Sequence, residues 1–290
     1  MSTNSTTGTS RRDADFNGAG ELQCRAHYRA LKSGELEDMQ SMMDYIKESG
    51  DPAIAYRWRR AVTDIKNILE TSAELYGDKP LFLQKFENDQ PFQEISYSKV
   101  LADVNALGTA LIELGLKGKH VGVIGKNCYE WAESYLAVVC GTGVVVPLDK
   151  ELNEDELAHL TASGELSAVI TMDKHYDMFK RIKDRDDNSL KLVINAGMHS
   201  HENEHKGLLS WHKLREHGYE LVEAGDRSFI DAEIVNTELA VILFTSGTTG
   251  TSKGVMLSNR NISSNVMLAQ SFIDIQPGDV FFSVLPIHHT

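Results

Sequence analysis

Apolar positions along the chain fall into two alternating rhythms. From Ala61 onward, Val62, Ile65, Ile68, Leu69 and Leu75 recur at helical spacing, and Gly77 and Pro80 stop the run. Leu81–Leu83 and Glu94–Tyr97 read as short strands around the turn residues Asp89, Gln90 and Pro91. A helical stripe of Val100, Leu101, Val104, Leu107, Leu111 and Leu114 then ends at Gly115. Beyond it, strands at Val121–Ile124, Val144–Val146 (ending in Pro147), Ala168–Thr171, Leu192–Ile194 and Leu239–Thr245 are predicted. Between them lie helices at Tyr129–Cys140, from Asn153 to Gly164, and around 174–184. Asn153, with Glu156 three residues on, has the form of a capping box. A further strand is predicted just before Thr290.

Continuously apolar strands alternating with helices imply a parallel sheet covered on both faces. With right-handed crossovers this is a doubly wound α/β architecture, mostly parallel, with helices on both faces. Ligands in such sheets bind beyond the carboxyl ends of the strands. Ahead of this region, residues 1–20 are rich in Ser, Thr, Asn and Gly and read as a disordered arm. Residues 21–59 read as a helical extension, in which Leu36, Met39, Met42, Met43 and Ile46 form a Met-rich stripe suited to core or docking. The regular domain is expected over 60–290.

Composition narrows the function. The 290 residues suffice for one large or two ordinary domains, and 41% of them are hydrophobic, enough for a sizeable core. With 29 basic and 42 acidic residues, the formal charge of −13 argues against general nucleic-acid binding. Cys24, Cys128 and Cys140 lack metal-like spacing and are expected as free thiols. Met1–Gly20 has no apolar leader segment, and no apolar run reaches the ~18–20 residues of a membrane span, so the expected location is cytoplasmic. Five of the eleven histidines, His199, His201, His205, His212 and His217, lie in 198–218 without ligand spacing; this stretch is expected to be a solvated surface.

The chemistry is expected where the strand Leu239–Thr245 runs into "FTSGTTGTSKG", Phe244–Gly254. Gly247, Gly250 and Gly254 let the backbone approach a ligand or adopt positive φ. Successive N–H groups in such a turn form an anion cradle. Thr245, Ser246, Thr248 and Thr249 add hydroxyl donors, and Lys253 adds a positive charge. Together these groups suit a polyphosphate; the plainer alternative is a glycine-rich turn. The Walker A spacing fails, because its second glycine would fall on Ser252 and Lys253 is followed by Gly254. A dinucleotide fingerprint fails too, since Gly141-Thr-Gly143 is followed by Val146 at the third position.

"ILFTSGTTGTSKGVMLSNRNI", Ile242–Ile262, resembles the phosphate-binding signature of the AMP-forming adenylate superfamily, which includes acyl-CoA synthetases, luciferases and peptide-synthetase adenylation domains. "YGDKPLFL" (Tyr76–Leu83), "NCYEWAESYLAVVCGTGVVVPLD" (Asn127–Asp149) and "FSVLPIHHT" (Phe282–Thr290) resemble the same family in the same order. "GYELVEAGDRSFIDAEI" (Gly218–Ile234) and "LPIHHT" are similar to bacterial long-chain fatty-acid–CoA ligases. The resemblance implies in-line attack of a carboxylate on the α-phosphorus of ATP, loss of pyrophosphate, and transfer of the acyl group from the adenylate to coenzyme A. It also implies Mg²⁺ bridging the phosphate oxygens. By position in the motif, Thr245, Ser246, Gly247, Thr248, Thr249, Gly250 and Lys253 are the expected pyrophosphate-gripping residues. His289 matches the family position near the acyl and α-phosphate end of the site; the alternative is a histidine satisfied at a strand end. His288 is its neighbour, with no role implied.

Two departures stand out. Ser252 replaces the usual Pro, which loosens the loop. Asn259 stands where His is common, and reads as surface variation or a helix cap. No Tyr-Gly-x-Thr-Glu stretch and no Thr-Gly-Asp is found, so the chain is expected to be the N-terminal part of a longer enzyme, inactive alone in thioester formation. Self-association through uncovered sheet surface is then expected. A nucleotide- or pyrophosphate-binding module without ligase chemistry remains the alternative.

Overall fold

The computed structural model describes residues 62–85, 89–172, 175–197, 207–245, 252–272 and 278–289. The readings for 1–20 and 21–59 lie outside the described residues. The chain divides into two units, 62–266 with 278–290, and 1–61 with 267–277; the first is described here. Its elements are α1 Ile65–Tyr76, β1 Pro80–Gln84, β2 Gln93–Ser96, α2 Tyr97–Leu111, β3 His120–Ile124, α3 Tyr129–Ala137, β4 Val144–Leu148, α4 Glu154–Ser163, β5 Leu166–Thr171, α5 Tyr176–Lys183, β6 Leu192–Asn195, β7 Leu208–Ser210, α6 Trp211–Glu223, β8 Leu239–Thr245 and β9 Lys253–Ser258. The helix α7, Asn259–Phe272, begins in this unit.

β1 and β2 form a separate antiparallel hairpin, and the other strands form one sheet in the order β7-β6-β5-β3-β4-β8-β9. Every ladder in that sheet is parallel except the last, between β8 and β9. Successive residues of a strand face opposite sides, and both sides are apolar here. Val121, Val123, Val145, Ala168, Ile170 and Val241 belong to a core with residues of α1, α2, α3 and α6. Ile124, Val144, Val146, Val169 and Ile242 belong to a second core with residues of α4 and α5. This is the mostly parallel sheet with helices on both faces that the alternating pattern predicts.

Local chemistry sets the helix ends. Asp64 Oδ1 accepts from Asn67 N at 2.8 Å, capping α1. The Asn153–Glu156 capping box forms in full at the start of α4. Gly115, at φ 79°, ends a π-type turn that prolongs α2. Gly218 serves packing instead: a Cβ there would lie 1.9 Å from the carbonyl oxygen of Ala106, so α6 meets α2 backbone to backbone.

Buried polar groups tie the helices together. Asp103 on α2 is fully buried and accepts from Tyr129 at 2.7 Å and Tyr219 at 2.6 Å. Arg215 on α6 lies 4.6 Å over the Trp211 ring, and Trp211 Nε1 donates to Ser134 Oγ at 2.9 Å. Lys66 on α1 is buried, and its ammonium donates to the carbonyls of Phe229, Ile230 and Ala232 at 3.1, 2.8 and 2.8 Å. Three acceptors offset the cost of removing that charge from water.

Several expectations are corrected. Pro147 lies within β4, opposite Val123 of β3. It is tolerated because the β4–β8 ladder is registered at Val145–Val241, leaving this end of β4 paired on one side. The helix expected to reach Cys140 is α-helical to Ala137 and widens into a π-type turn over Val138–Thr142. The helix α4 closes at Gly164 as expected, and Glu165 beyond it takes φ 50°. Part of the histidine-rich stretch is core: Trp211, Leu214 and Gly218 are buried on α6, and His212 Nε2 lies 2.8 Å from the carbonyl oxygen of Ala196, whereas His217 is exposed, with Nε2 2.7 Å from Glu113. The helical period of the apolar residues there was hidden by the charged and imidazole positions between them. His199, His201 and His205 lie outside the described residues. No strand precedes position 290: 278–286 is irregular and Ile287–His289 forms a single 3₁₀ turn. Its apolar run finds no neighbouring strand among the described residues to pair with.

Candidate active site

The carboxyl ends of β3, β4 and β8 carry the candidate site. From β4 the chain returns across β3 to β5, whereas β8 turns outward to β9. Connections that part in this way leave a crevice at the strand ends, where α/β sheets bind ligands.

The hydroxyl- and glycine-rich segment spans the turn of the β8–β9 hairpin. Thr245 is the last residue of β8, Lys253 is the first of β9, and the two are paired across the ladder. Thr245 Oγ1 donates weakly to the carbonyl oxygen of Lys253 at 3.5 Å, and both residues are exposed. Ser246, Gly247, Thr248, Thr249 and Gly250 lie outside the described residues. A strand follows the loop, not a helix, which is the physical reason that P-loop spacing does not apply. A Cβ at Gly254 would lie 3.1 Å from Ile242 Cγ2, on the strand it pairs with.

On the other flank, the residue after β3 and those after β4 hold the 3₁₀ turn. Asn127 Nδ2 donates to the carbonyl of Leu285 at 2.7 Å and to Ser283 Oγ at 3.0 Å, while its Oδ1 accepts from Ile287 N at 3.1 Å. Asp149 Oδ1 lies 3.6 Å from Nε2 of His288, which is buried. Burial pushes the His288 imidazole below its ordinary pKa, against the opposing pull of Asp149. His289 is exposed, with its ring centre 4.1 Å from that of His288. A second histidine braces the rim: His175 Nε2 lies 2.9 Å from the carbonyl oxygen of Lys150.

Sequence reading thus selected His289 and passed over the residues that hold it. Asn127 and Asp149 are the two ends of the family-like stretch Asn127–Asp149, and their positions just past β3 and β4 were the available signal. Of the two readings of Asn259, surface variation falls and a helix cap fits. It is buried, and its Oδ1 accepts from Ile65 N at 3.3 Å, so it serves the first amide of α1 rather than the surface. Among the described residues no group of three or more His, Cys, Asp or Glu could hold a metal ion. Among them, too, no helix is long and apolar enough to cross a membrane.

The mostly parallel sheet with helices is the fold of adenylate-forming enzymes, and solved structures carry it. The N-terminal domain of FACL13 from Mycobacterium tuberculosis matches 78% of this chain and 52% of its own, at a TM-score of 0.65 and 20% identity. A long-chain-fatty-acid–CoA ligase, FadD1, from Archaeoglobus fulgidus matches 73% of this chain and 39% of its own, at a TM-score of 0.59 and 20% identity. Residues 69–290 match the family described as AMP-binding enzyme, and the chain belongs to that family.

Curated relatives agree. Fatty acyl-CoA synthetase B of Dictyostelium discoideum is 29% identical over 76% of this chain and 34% of its own length. Long-chain-fatty-acid–CoA ligase 5 of Rattus norvegicus is 31% identical over 69% of this chain and 31% of its own. The chain spans about a third of the length of these relatives.

Proposed function

We propose that this chain supplies the pyrophosphate-gripping side of an AMP-forming acid–thiol ligase that activates long-chain fatty acids with ATP and passes the acyl group to coenzyme A. The observation that carries this reading is the Thr245–Lys253 pair at the mouth of the β8–β9 turn, set at the ligand edge of a parallel sheet in a member of the AMP-binding family. Long-chain acid is the chosen substrate because the relatives named above are fatty-acid ligases.

In this reading the enzyme provides no nucleophile. The fatty carboxylate attacks the α-phosphorus, and the electron pair of the broken P–O bond leaves with pyrophosphate. The coenzyme A thiol then attacks the acyl carbonyl, and AMP departs. What the protein contributes is placement and charge compensation. The Lys253 ammonium and the Thr245 hydroxyl, with the loop between them, receive the charge that grows on pyrophosphate. His289, on its exposed turn, faces the acyl end. Mg²⁺ would travel with the nucleotide phosphates and supply charge compensation there.

The deciding experiment is fatty-acid-dependent exchange of labelled pyrophosphate into ATP, measured with this chain as part of the complete ligase proposed here. Exchange that requires the acid identifies the ligase half-reaction. Binding of ATP or pyrophosphate with no exchange at any acid would replace this reading with a nucleotide-binding module. Acyl-CoA formation by the chain alone, from ATP, oleate and coenzyme A, would contradict its role as one side of a larger site.

A further inference from the structure

Across 278–289 the one buried side chain is His288. Exposed apolar residues precede it, among them Phe282 and Leu285, yet the residue turned inward is a polar ring. Burying an imidazole costs desolvation that a phenyl ring would not incur, so its choice calls for a polar reason. Nε2 of His288 has no hydrogen bond in this conformation, although Asp149 Oδ1 stands 3.6 Å away. A shift of about 0.8 Å would bring the pair to ordinary hydrogen-bond length. The charged groups acting on His288 are Asp149, Lys150 and Glu151 from the end of β4, and His289 from its own turn. Asn127 holds the backbone of the same turn from the β3 side. His289, its ring 4.1 Å from that of His288 and tilted by 49°, is carried on these supports.

The geometry points to His288 as a positioning residue: its pair with Asp149 sets the place of His289, the exposed imidazole that serves acyl activation. This rests on the function proposed above. His288 itself does not touch the acyl group. Once the pair closes to hydrogen-bond length, Asp149 accepts the Nε2 proton of His288, which fixes the tautomer and the tilt of the ring against which His289 lies.

The test uses the full chain with ¹⁵N-labelled histidines. Long-range ¹H–¹⁵N spectra, recorded from about pH 5 to about pH 9, follow each imidazole through its titration. In Asp149→Asn the midpoint of His288 falls, because the carboxylate that favours its cation is gone, and the His289 signals change with it. Asp149→Glu restores both curves. His288→Phe also moves the His289 curve, and should that variant fail to fold, the Asp149 variants decide alone. An His289 curve and tautomer unchanged by Asp149→Asn would overturn the assignment. Adding a hydrolysis-resistant acyl-adenylate mimic separates the two levels. An His289 that answers the mimic but not Asp149 overturns the pair alone. An His289 that ignores the mimic overturns the ligase reading, and with it the reaction assigned to the pair.

Discussion

Arg215 Nη1 donates to Glu133 Oε2 at 3.1 Å, and the carboxylate that it meets is fully buried. The other oxygen, Oε1, has no hydrogen-bond partner. Burial pushes the Glu133 carboxyl up to about 8, with Arg215 pulling it down and Asp103 pushing it further up. The folded state therefore holds a proton that the unfolded chain releases near pH 4. That contribution to stability is complete below the unfolded pKa and is lost as pH rises through about 8. The urea midpoint of the wild type should fall between about pH 5 and pH 8.5, and in Glu133→Gln that fall should shrink, on the order of 2 kcal/mol at the alkaline end. Equal slopes in the two proteins would show that Glu133 stays ionised throughout.

Gly218→Ala should loosen α6 from α2. A methyl group 1.9 Å from a carbonyl oxygen cannot be accommodated by a side-chain rotation, because the obstacle is backbone. A cost of roughly 1–3 kcal/mol is expected, outweighing the gain of about 1 kcal/mol in helix propensity. Urea unfolding monitored by circular dichroism reads the difference; a stabilised variant would disprove the close approach.

Asn259→Ala should cost about 1 kcal/mol, the usual value of a lost helix cap, even though the helix that loses it begins nearly two hundred residues earlier. Hydrogen exchange at the Ile65 amide is the local readout and should accelerate. Asn259→Asp should retain the acceptor and the protection.

Lys66→Met leaves the carbonyls of Phe229, Ile230 and Ala232 without their shared donor. Thermal unfolding should show a loss of roughly 1–3 kcal/mol. A variant as stable as wild type would mean that water replaces the ammonium at little cost.

Lys253→Ala should weaken pyrophosphate and ATP binding about tenfold, as expected for one charge-assisted contact. Its stability should change little, since the side chain is exposed. Calorimetry against inorganic pyrophosphate measures the first and urea unfolding the second. Unchanged affinity would remove Lys253 from the cradle.

Much of this architecture is legible from periodicity. β3, β4, β5, β6 and β8 are short apolar runs between helical patterns, and the two-faced core at Val144, Val145 and Val146 is what such runs require. The capping box at Asn153 is readable because its chemistry is local. What escaped is non-local. β7 has only three residues, and β9 is exposed at Lys253–Met256, so neither shows a buried-strand pattern. Asn259 reaches an amide 194 positions away, and no local rule announces that. The carriers of the histidine turn, Asn127 and Asp149, act through strand ends that only the sheet order brings together. For His289 the position in the motif was readable, but its support was not.

The β8–β9 hairpin has a mechanical corollary. Six cross-strand partnerships, from Leu239–Ser258 to Thr245–Lys253, fix where the ammonium leaves the sheet. Side chains alternate along a strand, so slippage by a single residue would flip Lys253 to the opposite face. Salt can screen the charge, yet it cannot relocate it. The ammonium is indexed like a zipper tooth, and only unfastening the edge of the sheet would let it go astray.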